Sequence, residues 1–313
     1  MAAMKRKGGI KMKSEAFKQI IQICDNRDNF ETLAEDFKRD RILPFIGAGF
    51  SRPQFPLWKD FLEKKAELYG VGSEVEEEIQ NGNMEKAASL LMQKMGQRGF
   101  KDYFLRTFKQ EVNTYSENQQ WLPKLFKETV ITTNYDHLLE SLYKDQRDFT
   151  KILPRYDKDQ AVVDRMMQQG QAYLIKLHGD VERYEYCVLT EEDYNEVYTG
   201  NSEYEQFLSK IFENKMMLFL GCSLVSDRTL ALLKELNHNR EIIHYAIVSL
   251  PEETNNPINP NEPIIYNHKQ YKPALLERIG QLSDLNIRPI WYPYNQHEMI
   301  SCILEELYQI RYP

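Results

Sequence analysis

The sequence predicts an α/β protein with a doubly wound parallel sheet and an inserted helical module. Short apolar runs recur along the 313 residues and alternate with helical segments, which is the pattern of parallel strands joined by helical crossovers. Residues 57–127 instead show helical periodicity with almost no strand pattern. We therefore expect a helical lead-in at 1–40, a sheet domain formed by 41–56 and 128–313, and the inserted module at 57–127.

The elements follow from hydrophobic periodicity. Phe17, Ile20, Ile21 and Cys24 mark an amphipathic helix, a second helix follows around 30–39, and an apolar run at 41–46 predicts the first strand. Further strands are predicted at 129–132, 172–177, 216–220, 243–249 and 287–291. Helices are predicted at 136–143, 161–169, 204–213, 227–236 and 296–310, and an irregular loop at 251–263.

Charge and hydropathy exclude several function classes. The formal net charge of -7 argues against an obligate nucleic-acid binder, because such proteins carry a basic face for phosphates. No apolar run approaches the roughly 18 residues needed to cross a bilayer. The basic N-terminus also lacks the apolar stretch of a secretory signal. We therefore expect a cytoplasmic protein that contacts neither membrane nor nucleic acid. The net charge does not rule out a local basic patch on the surface.

The cysteine pattern does not predict a disulfide framework or a metal centre. The four cysteines are far apart and none forms a Cys-x-x-Cys pair; they are Cys24, Cys187, Cys222 and Cys302. Zinc ribbons and disulfide frameworks need closely and regularly spaced cysteines. We expect reduced thiols and no bound metal.

The first strand ends in the sequence Gly47-Ala48-Gly49-Phe50-Ser51. Ligands of open parallel sheets bind where strands end, and glycines let a backbone approach a pyrophosphate closely. The third glycine of the dinucleotide fingerprint is replaced by Arg52, and no Gly-Lys-Ser/Thr follows. By itself, this loop fits either a nucleotide site or a simple tight turn.

Polar residues also end two strands in the middle of the chain. Asn134 and Asp136 follow an apolar strand, where they are suited either to a ligand or to capping the next helix. His178 and Gly179 end another strand. A histidine in this position either is a satisfied polar group or serves as a general base, since its side chain titrates near neutral pH.

The fourth strand end repeats the same order of residue types. An apolar strand is followed by Gly221, Cys222 and Ser223, and Asp227 begins the next predicted helix. Each of the four strand ends is ambiguous when taken alone. Their order along the chain is more specific.

That order resembles the sirtuin superfamily, whose motifs run GAGxS, TQNxD, HG and GTS. The corresponding segments here are Gly47-Ala-Gly-Phe-Ser51, Thr132-Thr-Asn134-Tyr-Asp136, His178-Gly179 and Gly221-Cys-Ser223. The resemblance implies a Rossmann-like domain that binds NAD⁺ as substrate. It implies that Asn134 holds the nicotinamide ribose or the attacking water, and that His178 is the base. The remaining residues assigned to the NAD⁺ site are Gly47, Ala48, Gly49, Ser51, Asp136, Gly221, Ser223 and Asp227.

The chain departs from protein-deacylating sirtuins at two places. Deacylases carry four zinc cysteines between the HG and GTS motifs. Here only Cys187 lies between His178-Gly179 and Gly221-Cys-Ser223, so the zinc cysteines are missing. Residues 52–60 read Arg-Pro-Gln-Phe-Pro-Leu-Trp-Lys-Asp, without the Asp-Phe-Arg element of the nicotinamide pocket. With Leu-Thr-Glu-Glu-Asp-Tyr at 189–194, this pattern resembles bacterial sirtuin-like effectors of antiphage defence that degrade NAD⁺.

The resemblance therefore implies an NAD⁺ hydrolase that releases nicotinamide and ADP-ribose without a metal. Two alternatives stay open: a zinc-free deacylase or ADP-ribosyltransferase, and a non-catalytic sensor of NAD⁺ or ADP-ribose. An ungated hydrolase would deplete its own cell of NAD⁺. We therefore expect a homo-oligomer or a complex with a defence partner, such as an HerA-like ATPase, that controls the activity.

Overall fold

The computed structural model describes residues 14–144, 149–153, 172–198, 215–224, 242–252 and 273–312. This part of the chain contains seven strands. They are β1 (Ile42–Ile46), β2 (Val130–Thr132), β3 (Thr150–Ile152), β4 (Tyr173–Lys176), β5 (Met216–Leu220), β6 (His244–Ser249) and β7 (Ile287–Tyr292).

The seven strands form one sheet in the order β3-β4-β2-β1-β5-β6-β7, and every pairing is parallel. The order reverses at β1, which pairs with β2 on one side and with β5 on the other. This arrangement confirms the predicted doubly wound parallel sheet. Because all strands run the same way, their carboxyl ends share one edge of the sheet, where ligands of such folds bind.

Helices occupy most of the remaining described chain. They are α1 (Glu15–Ile20), α2 (Asn26–Lys38), α3 (Trp58–Ala66), α4 (Gly72–Gln80), α5 (Met84–Met95), α6 (Gln97–Phe108), α7 (Glu117–Gln120), α8 (Leu122–Leu125), α9 (Leu138–Tyr143), α10 (Glu191–Tyr198), α11 (Pro273–Ser283) and α12 (Met299–Arg311). Short 3₁₀ turns lie at Ala48–Ser51 and Val181–Tyr186. None of the helices in the described ranges combines the length and apolarity needed to span a membrane.

The periodicity predicted six of the seven described strands and missed three elements of the described chain. The strand at 216–220 has the expected bounds, whereas β3, α10 and α11 were not predicted. β3 has only three residues, and α10 begins with three consecutive acidic residues, so neither gives a clear apolar period. The helices predicted at 161–169, 204–213 and 227–236, and most of the loop at 251–263, lie outside the described residues.

The sheet is covered by apolar side chains on both faces, as expected for a parallel sheet. Phe45 and Ile131 point into one buried cluster, which also contains residues of α10 and α11. Their strand neighbours Ile46 and Val130 point into the opposite cluster, with residues of α1, α2 and α12. The alternation of side chains along each strand therefore divides the core into two layers.

A third apolar cluster lies among α3, α4, α5 and α6. Its centre is aromatic, with the Phe61 and Tyr103 rings stacked at 4.3 Å between centroids. Tyr135 and Leu138, which follow β2, belong to the same cluster. The helices α3 to α6 therefore pack directly on the loop that carries Asn134, whereas Leu122 and Leu125 of α8 belong to the cluster with α1, α2 and α12. The domain boundaries stated above remain a prediction.

Candidate functional site

A cleft of about 1380 Å³ lies at the carboxyl ends of the strands, centred on the switch point at β1. Nine of the ten candidate residues line it: Gly47, Ala48, Gly49, Ser51, Asn134, Asp136, His178, Gly221 and Ser223. The tenth, Asp227, lies outside the described residues. The structure therefore brings together residues from the ends of four strands, β1, β2, β4 and β5.

The glycines after β1 pack against the loop that follows β5. The Gly47 and Gly49 N–H groups donate to the carbonyl oxygens of Leu220 and Gly221, both at 2.9 Å. A Cβ atom at Gly49 would lie 2.9 Å from the Gly221 oxygen, and Gly221 has a φ of +68°. These glycines allow two loops to approach each other. Two of the amides that the sequence suggested for phosphate binding are engaged in that contact.

Gly49→Ala should lower both the melting temperature and the affinity for NAD⁺, the ligand that the sirtuin resemblance implies, because the added Cβ atom would push the two loops apart. We expect a loss of about 1–3 kcal/mol in the free energy of unfolding, the usual scale of overpacking. Thermal melts and calorimetric titration measure the two effects. Gly99→Ala is the matched control, since Gly99 lies in α6 with only one neighbouring atom, at 3.7 Å. A melting temperature and an affinity equal to those of the parent in Gly49→Ala would contradict the importance of this loop contact.

Asn134 follows β2, and its side chain is held in one orientation. Its Nδ2 donates to the Gly47 carbonyl oxygen at 3.1 Å and to Ser51 Oγ at 2.9 Å. A carbonyl oxygen only accepts hydrogen bonds, so the atom facing Gly47 must be the amide nitrogen. Within the described residues, Oδ1 is buried and has no hydrogen-bond partner. Because Asn134 lines the cleft, this oxygen is the polar atom of the side chain still left for a ligand.

Asp136 contacts the start of α9 from two residues before the helix, whereas the N-cap position is occupied by His137. Asp136 Oδ1 accepts a hydrogen bond from the Leu138 N–H at 3.0 Å. Burial raises the pKa of the Asp136 carboxyl above its usual value, although Lys176 and Ser51 act in the opposite direction. Asp136 also lines the cleft, so its hydrogen bond with the Leu138 N–H does not remove it from the site.

His178 follows β4 and is surrounded by tyrosine rings. The Tyr194 hydroxyl lies 3.4 Å from His178 Nδ1, and the two rings meet edge to face at 5.2 Å between centroids. The His178 carbonyl oxygen accepts a hydrogen bond from the Val188 N–H at 2.9 Å. Both the ring and the backbone of His178 are therefore held at the cleft wall.

A helix start explains how Tyr194 reaches His178. Thr190 precedes α10, and its hydroxyl donates to Asp193 Oδ2 at 2.8 Å. The Asp193 N–H donates back to Thr190 Oγ1 at 3.3 Å, which makes a reciprocal cap. The segment Leu-Thr-Glu-Glu-Asp-Tyr at 189–194 is therefore a helix-initiation signal that turns Tyr194 toward the histidine.

A buried lysine lies beneath the site and was not identified from the sequence. Lys176 in β4 is fully buried, and its Nζ donates to the carbonyl oxygens of Tyr135 and Asp136 at 3.1 and 2.7 Å. The same nitrogen lies 3.1 Å from Glu140 Oε1 and 3.2 Å from Asp180 Oδ2. Lys176 therefore ties the backbone of the Asn134 loop to β4. A lysine inside an apolar strand was the signal that could have revealed it.

The charges around Lys176 stabilise one another. Burial alone would lower the pKa of Lys176, but the carboxylates of Glu140, Asp180 and Asp136 outweigh it and raise the pKa. Burial would likewise raise the pKa of Asp180. The hydrogen bond with His137 and the charge of Lys176 reverse that effect and hold the pKa well below its usual range. The lysine and the aspartate are therefore both charged at neutral pH.

His137, Glu140 and Asp180 also form a group that resembles a metal site, because their ligand atoms lie within 4.8 Å of one another. The Lys151 ammonium group lies 2.8 Å from both Glu140 Oε1 and Asp180 Oδ2. Together with Lys176, it already neutralises these carboxylates. The geometry therefore fits an ion-pair network better than a cation site.

Comparison with known proteins agrees with this fold. The chain is 26% identical over 268 residues to the "NAD(+) hydrolase ThsA" of Bacillus cereus (strain MSX-D12), covering 84% of this chain and 53% of that protein. It is equally similar to the Enterococcus faecium protein of the same name, of which it covers 54%. The chain thus spans about half the length of these curated relatives. The SIR2-like domain model matches residues 128–289, just over half of the sequence, and the chain therefore belongs to the SIR2-like domain family.

Proposed function

We propose that this chain is an NAD⁺ hydrolase that cleaves the bond between nicotinamide and ribose. The observation that carries the proposal is the pairing of a buried Asn134 amide with His178 at the ends of two neighbouring strands, in a SIR2-like chain. Neighbouring strands lie about 4.8 Å apart, and both residues line the cleft. The printed names of the two relatives support the same reaction.

In the first half of the reaction, the C1′–N bond breaks and nicotinamide leaves as a neutral base with the electron pair. Positive charge then develops on the ribose, as it does in the oxocarbenium-like transition state of glycoside cleavage. A fixed dipole whose negative end faces that charge lowers the barrier. We assign this role to the Asn134 Oδ1 atom, because the contacts of Nδ2 with Gly47 and Ser51 hold the side chain in one orientation.

In the second half, a water oxygen bonds to C1′ and its proton passes to the imidazole of His178. Asn134 Oδ1 accepts a hydrogen bond from that water and so directs a lone pair of the water oxygen toward C1′. Imidazole is suited to the transfer because its ordinary pKa lies near neutrality. The products are nicotinamide and ADP-ribose, and no step requires a metal.

We further propose that the chain acts in the cytoplasm as an effector of antiphage defence and depletes NAD⁺ in the infected cell. Uncontrolled hydrolysis would harm the host, so gating through a homo-oligomer or a defence partner, such as an HerA-like ATPase, belongs to the proposal. The relatives are almost twice as long as the matched region, which is compatible with control by additional segments in those proteins.

Incubation with NAD⁺ and a chelator should yield equal amounts of nicotinamide and ADP-ribose. The assay compares the chain alone with the chain plus candidate partners and separates the products by chromatography, so that cyclic ADP-ribose and base-exchange products are also seen. Recovery of activity only after zinc is added would contradict the metal-free mechanism.

The same assay distinguishes the alternatives. Consumption of NAD⁺ that depends on an acylated peptide or an acceptor protein would favour a deacylase or an ADP-ribosyltransferase. Saturable binding of NAD⁺ without turnover under every activating condition would favour a sensor. Either result would contradict the hydrolase proposal.

A further inference from the structure

Arg278 lines the cleft from α11, next to the loop that follows β5. Its guanidinium donates through Nη1 to the Leu224 carbonyl oxygen at 2.9 Å and to Gln281 Oε1 at 3.0 Å. Nη2 donates to the carbonyl oxygen of Ser223. Arg278 thus touches the same loop that carries the candidate residues Gly221 and Ser223.

All three acceptors of Arg278 are neutral. A guanidinium group has five N–H donors, so two of them, including that on Nε, are left after these contacts. The other basic side chains that line the cleft have acidic partners: Arg52 lies 3.5 Å from Asp60, and Lys59 lies 3.5 Å from Glu63. Arg278 differs from these two residues, because no carboxylate in the described ranges lies within 4 Å of its guanidinium group.

This charge is also partly removed from water. Burial lowers the pKa of Arg278, and no carboxylate in the described ranges opposes that effect. A desolvated charge is costly unless a counter-charge accompanies it. Leu224, which Arg278 holds, has a φ of +52°, and such uncommon backbone conformations cluster at ligand sites.

The donors expected for phosphate elsewhere in the cleft are partly engaged. Gly47 and Gly49 donate their N–H groups to the loop after β5. A dinucleotide bound here would bring two negative phosphates, and the remaining edge of a guanidinium suits a bidentate contact with a phosphate.

We propose that Arg278 binds a phosphate group of the pyrophosphate-containing ligand through the N–H donors that remain free of partners among the described residues. The inference rests on the proposed function for the identity of the cleft, and it adds a residue that the motifs after β1, β2, β4 and β5 do not contain. Arg278 also positions the Ser223–Leu224 backbone, so one side chain links the ligand charge to the shape of this loop.

The test compares ADP-ribose, which carries a pyrophosphate, with adenosine, which carries none, by calorimetric titration of the full chain. Arg278→Gln should weaken ADP-ribose binding by about ten- to a hundredfold, the scale of losing hydrogen bonds to a charged group. Adenosine affinity should stay unchanged, and the salt dependence of ADP-ribose binding should become shallower. Arg278→Lys keeps the positive charge but loses the planar pair of donors, so its affinity for ADP-ribose should lie between those of the parent and Arg278→Gln.

Arg98→Gln is the control, because Arg98 is an exposed arginine on α6. Unchanged ADP-ribose affinity in Arg278→Gln would overturn the inference. Equal weakening of ADP-ribose and adenosine together with a lower melting temperature would also overturn it and leave Arg278 as a loop clamp. The two proposals can fail separately. If ADP-ribose binding depends on Arg278 but NAD⁺ is not cleaved, the phosphate site is supported and the hydrolase proposal is contradicted. If NAD⁺ is cleaved but ADP-ribose affinity does not depend on Arg278, the hydrolase proposal is supported and the phosphate site is contradicted.

Discussion

Asn134→Ala and His178→Ala should each lower the rate of NAD⁺ cleavage by about a hundredfold or more, the usual scale for a positioned acid–base group. In the proposed mechanism, Asn134 supplies an oriented oxygen to the reacting centre, and His178 takes the proton of the attacking water. The double variant should be little slower than either single variant, because residues that act in one step are not additive. NAD⁺ consumption is measured under conditions in which the parent chain is active.

Melting temperatures of the same variants separate catalysis from folding. Asn134→Ala also removes the hydrogen bonds to Gly47 and Ser51, so a modest loss of stability is expected there. Asn81→Ala, at the exposed end of α4, is the matched control and should keep the parental rate. Full activity of His178→Ala in a folded protein would remove the histidine from the mechanism.

Lys176→Met should be the most destabilising of the substitutions considered, by about 3–5 kcal/mol, as expected when one partner of a buried ion network is removed. The change leaves the Glu140 and Asp180 carboxylates with less counter-charge. It also removes both hydrogen bonds that hold the Tyr135 and Asp136 carbonyl oxygens. Chemical denaturation measures the stability, and NAD⁺ turnover should fall because the Asn134 loop loses its support.

Lys151→Met is the matched control for this prediction. Lys151 contacts the same two carboxylates at 2.8 Å, but its side chain is 34% exposed. Solvent screens such a charge, so its loss should cost only about 1 kcal/mol. The double variant Lys176→Met with Glu140→Leu should recover part of the lost stability, because it removes a buried charge that lacks its partner. Equal losses in the two lysine variants would contradict the assignment of Lys176 as the central cation.

The difference between the two lysines could not be predicted from the sequence. Both lie in strands, Lys151 in β3 and Lys176 in β4, and both precede an apolar residue. Lys151 lies on the edge strand, whereas β4 is covered on both sides by β3 and β2. Burial therefore depends on the strand order, which a local sequence pattern does not contain.

The sequence by itself determined the type of fold and the edge of the sheet where the site lies. Apolar runs separated by helical periods require a parallel sheet, and a parallel sheet places the ends of its strands at one edge. Asn134, His178 and Gly221 could therefore be assigned to one cleft from their positions after predicted strands.

Only the tertiary structure decided how those residues are used. It showed that the Gly47 and Gly49 amides bind the neighbouring loop. It also showed that Asn134 Oδ1 has no partner among the described residues, and that Lys176 binds the backbone of the Asn134 loop. It also brought Arg278 to Ser223, 55 residues earlier in the chain. The physical reason is the range of the interactions: periodicity records which face of a strand or helix is buried, whereas the partner of a buried donor or charge is set by contacts between segments distant in sequence.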